Sequence, residues 1–430
     1  MSFRTSLSGL DAASTDLSVV GNNIANSSTT GFKESRAEFV DVFATTFTGV
    51  SGNTPGSGVR VSNIAQQFSQ GSIEFTSSNL DLAVNGEGFF IVDDDGAQAF
   101  TRAGSFSTNR DGFVVDSSGR ELQIFPPNNN GTFNTGALSS LELSTSDSAP
   151  AATTNVVPTL NLNAQETVPT GYTTFPIDPL EFDALDADTF NSSTSTTVYD
   201  SLGNDFPATM YFVASNPTAN EWQVRTFVDG DPLTINAGAD DFFTMTFDGL
   251  GSFQDITVGT TTPVTTTNSN IAFDGVNLGN GASNLTMNFD YADTTQYGGG
   301  FSVNGLSQDG FASGRLSGIE IDQTGVVFAR FTNGQSDLLG QVALATFPNS
   351  QGLRQLGDTS WGETFSSGDK TIGAAGTAGF GSMQSGALEA SNVDIATQLV
   401  NLITSQRNFQ ANAQAISTQD TIQQAIINIR

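Results

Sequence analysis

The residues of this chain that could do chemistry are carboxylates, because the sequence contains neither His nor Cys. Ser–His and Cys–His nucleophilic sites are therefore excluded, as are imidazole and thiolate metal sites. Paired carboxylates could still cleave glycosidic bonds, and the candidates are Asp183, Asp186 and Asp188, or the neighbours Asp240 and Asp241. A chain with 44 acidic residues supplies such pairs by chance. The sequence therefore predicts no catalytic residue and no enzyme.

A further acidic group, Asp93-Asp94-Asp95-Gly96, contains oxygen ligands of the kind that Ca²⁺ prefers. It lacks the spaced ligands and the terminal Glu of an EF-hand loop. Acidic residues followed by Gly are typical of a tight turn. We therefore predict a hairpin turn at this position and no metal or other cofactor in the chain.

The charge of the chain is strongly negative, since 14 basic and 44 acidic residues give −30 at pH 7. Between Arg120 and Arg315 the only basic residue is Arg225. A negative surface opposes binding to nucleic acid and to anionic membranes, although the acidity also fits simple solubility or a saline environment. No run approaches the ~20 apolar residues of a membrane-spanning helix, so membrane insertion is not expected. The N-terminus lacks a secretory signal pattern, so any export is expected to use another route.

Helical patterns occupy the two ends of the chain, whereas strand and turn patterns fill the middle. Apolar residues recur three and four positions apart over 2–26 and 388–416, a spacing that suits coiled-coil packing. A single short helix cannot bury such a face alone, so the two helices are expected to pair with each other or with other copies. The residues predicted to form this assembly interface are Leu7, Leu10, Leu17, Ile24, Ile395, Leu399, Leu402, Phe409 and Ile416.

The pattern as a whole predicts an α+β fold that is mostly β. The terminal helices are expected to pair as a coiled-coil-like inner domain, with nested β-sandwich or barrel domains between them. The predicted parts are the terminal helices 1–30 with 388–430, linker regions 31–70 with 366–387, a discontinuous β-rich domain 71–149 with 301–365, and an inserted acidic β-rich outer domain 150–300.

The sharpest string in the sequence runs from Asn79 to Phe90. Leu80, Leu82 and Val84 alternate with other residues, which predicts a strand with one buried face. Asn85-Gly86 then predicts a tight turn with positive φ, so the string is interpreted as a structural hairpin. The string Phe100-Thr101-Arg102-Ala103-Gly104-Ser105-Phe106 and the turn residues after it are interpreted in the same way.

These two strings, with one at each end of the chain, resemble the flagellar rod and hook axial protein family. The terminal strings are Asn22-Asn23-Ile24-Ala25-Asn26 with Thr30-Gly31-Phe32-Lys33, and Gly386-Ala387-Leu388-Glu389-Ala390-Ser391-Asn392-Val393-Asp394 with Gln406-Arg407-Asn408-Phe409-Gln410-Ala411-Asn412. Together they cover about 1–125 and 340–430. The absence of Pro before Gly31, the large middle insertion and the string Val198-Tyr199-Asp200-Ser201-Leu202-Gly203-Asn204 resemble hook-type members. The alternatives are a distal rod subunit and an acidic secreted β-rich enzyme.

The resemblance implies a structural subunit that polymerises into a helical tube and acts as a flexible coupling, transmitting torque from rod to filament. The implied partners are other copies of the chain, flagellar rod proteins, hook–filament junction proteins, the hook cap during assembly and the type III export apparatus. The implied location is the flagellar hook, outside the cell, after export without a cleaved signal peptide. In such a polymer Arg407 fits either an ion pair with a neighbouring subunit or a solvated charge.

Overall fold

A computed structural model describes residues 3–42, 56–128, 130–143, 146–172, 182–235, 240–258, 264–266 and 269–428. The chain forms two compact units. Unit 1 contains Met1–Thr145, Ser317–Arg330 and Ser336–Arg430, and unit 2 contains Ser146–Leu316 and Phe331–Gln335. Strands dominate, and helices lie at both ends and pack on each other, so the predicted fold class is confirmed. The finer division into four parts stays a prediction.

Among the described residues, the α-helices are α1, Phe3–Ala25, and α2, Ile395–Asn428. The first agrees with the predicted span, but the second begins at Ile395 and not at 388. Asp394 precedes α2, and its carboxylate accepts a hydrogen bond from the backbone N–H of Thr397 at 2.7 Å, as an N-cap residue does. That hydrogen bond also lowers the pKa of Asp394. No helix in the described part of the chain is long and apolar enough to cross a membrane.

The strands follow one another along the chain. The first group is β1 Ser35–Asp41, β2 Val59–Gln66, β3 Ile73–Phe75, β4 Leu82–Asn85, β5 Phe89–Asp94, β6 Ala97–Thr101, β7 Ser107–Thr108, β8 Val114–Val115, β9 Glu121–Phe125 and β10 Ser139–Ser140. The second is β11 Asn155–Asn163, β12 Ser192–Tyr199, β13 Asp205–Asn216, β14 Glu221–Val228, β15 Asp231–Pro232, β16 Phe243–Phe247, β17 Phe253–Val258, β18 Val264–Thr266, β19 Asn270–Ala272, β20 Asn288–Asp290, β21 Thr295–Tyr297 and β22 Ser302–Gln308. The third is β23 Leu316–Ile321, β24 Val326–Phe331, β25 Ser336–Thr346, β26 Arg354–Gly357, β27 Ser360–Gly362, β28 Thr371–Ala374, β29 Ser382–Ser385 and β30 Ala387–Glu389.

The main sheet of unit 1 has the strand order β23-β24-β25-β9-β5-β6-β27-β26, with β7, β8, β10 and β28 paired beside it. Two further antiparallel pairs, β3–β30 and β4–β29, bring the segment before α2 back to the first part of the chain. This pairing of β30 is the reason why α2 starts later than predicted. Strands β1–β2 lie within 31–70, and β28–β29 within 366–387, the stretches predicted as linkers. Most of the Gly- and Pro-rich part of the first stretch, 49–58, lies outside the described residues, which begin again at Gly56.

The two turns predicted near residue 90 have different outcomes. The predicted turn at Asp93–Gly96 is confirmed, since β5 pairs with β6 and Asp94 lies opposite Ala97. The hairpin predicted over Asn79–Phe90 is wrong, because β4 pairs with β29 while β5 pairs with β6, β9 and β25. Gly86 does have positive φ, at +117°, but it connects two different sheets. Alternation along a strand shows which face is buried and does not show which strand pairs with it.

Unit 2 is built from two sheets around one apolar core. The larger sheet is antiparallel with the order β12-β13-β14-β16-β17-β18, and β15 pairs with β14; the smaller contains β11 and β19–β22. Its core includes Met210, Phe212, Trp222, Phe243 and Phe289, which come from both sheets. This arrangement is the predicted β-sandwich type of packing.

Candidate assembly interface

Helices α1 and α2 run antiparallel, and polar side chains lie where they meet. The hydroxyl of Ser405 donates a hydrogen bond to Asp16 Oδ2. Seven residues further along α1, and seven residues back along α2, Asn23 Nδ2 donates a hydrogen bond to Gln398 Oε1 at 3.3 Å. Asn23, Gln398 and Ser405 are nearly inaccessible to solvent, being 1%, 2% and 2% exposed.

A third contact continues this spacing toward the other end of α1. A Cβ added to Gly9 would lie 2.6 Å from Asn412 Oδ1, so Asn412 packs against α1 at a position that has no side chain. Residues seven apart recur on the same face of a paired helix, and polar residues at such positions specify register. Apolar spacing alone does not reveal this polar seam. The same seven-residue spacing of Gly9, Asp16 and Asn23 could have indicated it.

The predicted interface residues divide into two groups within the single chain. Leu7, Ile395 and Leu399 are exposed, at 42%, 50% and 45%. The remaining predicted residues, which are half-buried, are Leu10, Leu17, Ile24, Leu402, Phe409 and Ile416. Phe3, Val400 and Ile403 are also exposed on these helices, at 46%, 63% and 50%. Both helices therefore keep large apolar side chains uncovered, and the interface they would form stays a prediction.

Amide side chains attach the helix pair to the segment that leads into β1. Asn23 Nδ2 donates to the carbonyl oxygen of Ser35 at 2.8 Å, and Asn23 Oδ1 accepts from the N–H of Ser35 at 2.9 Å. Gln398 Nε2 donates to Glu34 Oε1 at 2.8 Å. The N–H of Glu34 in turn donates to Asn392 Oδ1 at 2.7 Å. One short segment therefore holds the end of α1 and the start of α2 in place.

Next to this segment lies a buried ionic junction formed by Lys33, Arg102 and Glu389. Lys33 Nζ lies 2.6 Å from Glu389 Oε1, and Arg102 Nη1 lies 3.2 Å from Glu389 Oε2. The three side chains are 1%, 4% and 0% exposed. Arg102 also donates to the carbonyl oxygen of Gly86 at 2.9 Å, and Gly71 N–H donates to Glu389 Oε1 at 2.9 Å. One carboxylate thus connects four segments of unit 1.

The electrostatics of this junction follow from its burial. Desolvation lowers the pKa of Lys33, the nearby Glu389 raises it, and the result is a net lowering. Two cations share one carboxylate, and the Arg102 guanidinium also lies 5.2 Å from the centre of the Phe89 ring. Buried charges of this kind are tolerated only when they are paired. The junction is therefore sensitive to loss of Glu389.

Close backbone packing surrounds the junction. Gly31 has φ +67°, and an added Cβ would lie 2.4 Å from the backbone nitrogen of Ala103. Gly31 N–H donates to the carbonyl oxygen of Glu389 at 2.8 Å. Lys33, Arg102 and Glu389 come from three different strings that carry the family resemblance. Strings that are far apart in the sequence therefore meet at one point.

Three of the candidate catalytic carboxylates, Asp183, Asp186 and Asp241, have structural contacts. Asp241 Oδ2 lies 2.5 Å from Arg225 Nη1. Asp183 and Asp186 accept hydrogen bonds from the backbone N–H groups of Leu185 and Asp188. In the described residues, no group of three Asp, Glu, His or Cys side chains could hold a metal ion.

Four family models match the chain. The model described as flagellar basal body protein FlaE D2 domain matches residues 161–311, and the model described as flagellar hook protein FlgE/F/G D1 domain matches 83–179. The ends match a flagella basal body rod protein model over 3–33 and a flagellar basal body rod FlgEFG protein C-terminal model over 384–429.

Several proteins are similar to this chain over its full length. The flagellar hook protein FlgE of Escherichia coli (strain K12) is 37% identical over 434 residues, with 100% of both chains covered. The flagellar hook protein FlgE of Salmonella typhimurium is 36% identical with the same coverage. The flagellar hook protein FlgE of Borreliella burgdorferi is 31% identical over 455 residues and covers 100% of this chain and 99% of that one.

The fold also has a solved counterpart. The crystal structure of Helicobacter pylori flagellar hook protein FlgE2 has a TM-score of 0.51 at 15% identity, covering 74% of this chain and 100% of that chain. At this identity the likeness shows the fold alone. The full-length relatives and the two domain models together go further: the chain belongs to the flagellar hook protein FlgE family.

Proposed function

We propose that this hook-family chain polymerises through its terminal helices into a helical tube that transmits torque from rod to filament as a flexible coupling. The full-length similarity to FlgE hook proteins makes it a structural subunit of the bacterial flagellar hook. The observation that supports helix-driven polymerisation is the exposure of Leu7, Ile395 and Leu399 on α1 and α2. Large exposed apolar groups on paired helices mark a surface for another protein chain.

The physical basis of such a tube is a contact between two different surfaces of the same protein. Contacts of this kind do not close into a ring when the rotation between copies leaves an offset, and they produce an open helical polymer. The buried junction around Glu389 supports the transmission of torque. It fixes the helix ends to the strands of unit 1 by ionic and backbone contacts.

A distal rod subunit is the second candidate. The models named for rod proteins match only the two ends of the chain, 3–33 and 384–429, whereas the full-length relatives are hook proteins. The hook assignment is therefore the better supported one. Membership of a structural family also argues against a secreted enzyme, and the candidate carboxylates of unit 2 serve turns and an ion pair.

The partners follow from this role. Copies of the chain are partners within the flagellum. We further propose contacts with flagellar rod proteins, hook–filament junction proteins and the hook cap during assembly. We also propose that the type III export apparatus delivers the chain without cleavage of a signal peptide.

The test is the substitution Leu399→Asp. Leu399 is 45% exposed in the single chain, so the change should leave both units folded. In the polymer it would bury a carboxylate in an apolar contact, which costs several kcal/mol. We expect polymerisation to be abolished, as measured by electron microscopy and sedimentation of the purified full-length protein.

The matched control is Gln410→Asp, which places the same charge at an exposed polar position of α2. It should still polymerise. Normal tubes from Leu399→Asp, with an unchanged circular dichroism spectrum, would refute the proposed role of these helices.

A further inference from the structure

Turns of one shared geometry occur in both units. Among the described residues, five such turns begin at Asn109, Asp116, Asp200, Asp248 and Asp322. In each, Oδ1 of the first residue accepts hydrogen bonds from the backbone N–H groups of the third and fifth residues. The fourth residue is a glycine with positive φ. The side chain of the first residue therefore fixes the backbone orientation of the third residue.

The third residue differs between the two units. In unit 1 it is polar and exposed in all three turns, as Asp111, Ser118 and Thr324. In unit 2 it is Leu202 or Leu250, with 57% and 82% of the residue exposed. The geometry therefore works with polar residues at this position and does not require leucine. The two leucines therefore expose apolar surface that the turn geometry does not require.

The two leucines lie at opposite ends of the larger sheet of unit 2. Leu202 is in the turn between the antiparallel strands β12 and β13. Leu250 is in the turn between β16 and β17, and Phe247 beside it donates from its backbone N–H to the carbonyl oxygen of Asn220. Asn220 lies in the connection from β13 to β14, which is at the end of β13 away from Leu202.

Both turns are anchored to the rest of unit 2. Asn280 Nδ2 donates to Asp200 Oδ2 at 2.5 Å, and an added Cβ at Gly203 would lie 2.8 Å from Pro150 Cβ. In the other turn, an added Cβ at Gly251 would lie 2.8 Å from Cδ1 of Tyr297, a residue that is itself 51% exposed. The leucines are thus carried on turns held by hydrogen bonds and close packing.

We propose that Leu202 of one copy and Leu250 of the next form a head-to-tail contact between neighbouring copies of unit 2. This rests on the proposed function, because a helical polymer needs two different surfaces on each copy. Opposite ends of one sheet supply such a pair, whereas a two-fold dimer would use one surface twice. Unit 2 is acidic, so its ends repel each other, and salt should strengthen the contact by screening.

Cysteine cross-linking of the full-length polymer tests this contact, because the chain has no cysteine of its own. We expect the double variant Leu202→Cys/Leu250→Cys, polymerised and treated with a short bis-maleimide, to give a ladder of dimers, trimers and larger products. Each single variant should give no covalent oligomer. The control is Ser118→Cys/Thr324→Cys, which places thiols at the same turn position in unit 1 and should give no ladder.

Three results would overturn the proposal. They are the absence of a ladder from well-formed tubes of the double variant, dimers from a single variant, and an equal ladder from the unit 1 control. These results leave the hook assignment intact. Failure of the unmodified chain to form tubes would instead count against the proposed function.

Discussion

The two units use charge differently. In unit 1, Glu389 pairs with Lys33 and Arg102 across sequence separations of 356 and 287 residues. In unit 2, Arg225 pairs with Asp241 across a separation of 16 and lies over the rings of Phe182 and Phe242. The Glu389 junction therefore holds together distant parts of the chain, from just after α1 to just before α2, although unit 1 also contains a local buried pair, Arg120 with Asp116. The pair of Arg225 with Asp241 in unit 2 joins two segments that are close together in the sequence.

The other carboxylates of unit 2 show what replaces ionic contacts where basic residues are scarce. Burial alone would raise the pKa of Asp309, but hydrogen bonds from Asn155 and Thr154 lower it to about 2. The pKa of Asp200 is lowered in the same way, by Asn204, Asn280 and Leu202 acting against burial. Hydrogen bonds to backbone and amide groups thus keep these carboxylates charged. We therefore predict that loss of one buried charge lowers the free energy of unfolding more in unit 1 than in unit 2.

Each unit carries one tryptophan, so their unfolding can be followed separately. Trp361 belongs to unit 1 and Trp222 to unit 2, and they are 3% and 2% exposed. The variant Trp222→Phe leaves fluorescence from unit 1 alone, and Trp361→Phe leaves fluorescence from unit 2 alone.

The largest effect is expected from Glu389→Gln. The change removes the carboxylate that Lys33 and Arg102 both contact, and loss of one partner of a buried pair costs about 3–5 kcal/mol. We expect the free energy of unfolding of unit 1 to fall by that amount in a denaturant titration that follows Trp361. The transition that follows Trp222 should not move.

The control for this prediction is Glu320→Gln. It breaks an ion pair with Arg330 in which the two side chains are 56% and 54% exposed. Exposed pairs contribute no more than about 1 kcal/mol. Equal effects of the two substitutions, or a shift of the Trp222 transition with Glu389→Gln, would contradict the comparison.

Substitution by alanine is expected to have opposite effects at two glycines of unit 1, Gly31 and Gly21. Both effects should be smaller than that of Glu389→Gln. Gly31→Ala places a Cβ at a residue with a left-handed φ of +67° and 2.4 Å from the backbone nitrogen of Ala103. The free energy of unfolding of unit 1 should therefore fall by about 1–3 kcal/mol. Gly21→Ala meets no atom within 4 Å in α1 and should raise stability by up to about 1 kcal/mol. The same Trp361 titration measures both. A gain for Gly31→Ala, or a loss of similar size for both, would contradict the explanation of the Gly31 cost by its positive φ and close packing.

Much of the fold could be predicted from local patterns. The apolar spacing predicted α1, and the alternation of Leu80, Leu82 and Val84 predicted the strand β4, Leu82–Asn85. Pairing between distant segments could not be predicted, because a strand pattern carries no information on its partner. This explains both the wrong hairpin at Asn79–Phe90 and the predicted start of α2 at 388, where Ala387–Glu389 pairs with Ile73–Phe75.

The candidate site was predicted less completely than the fold. The apolar spacing predicted which helix faces form the interface, but it cannot tell contacts within one chain from contacts between copies, so those faces stay a prediction. The polar seam of Asp16, Asn23 and their partners was missed because only apolar residues were sought. Lys33, Arg102 and Glu389 lay in the strings that carried the resemblance. Their convergence is a property of the folded chain.

The most direct test of the hook assignment is immunogold electron microscopy of intact flagellated cells that produce this protein, with an antibody raised against residues 146–316. We predict gold on a short curved segment between the cell surface and the filament. Gold only on extracted basal bodies would transfer the chain to the rod, and gold unrelated to any flagellum would contradict the assignment.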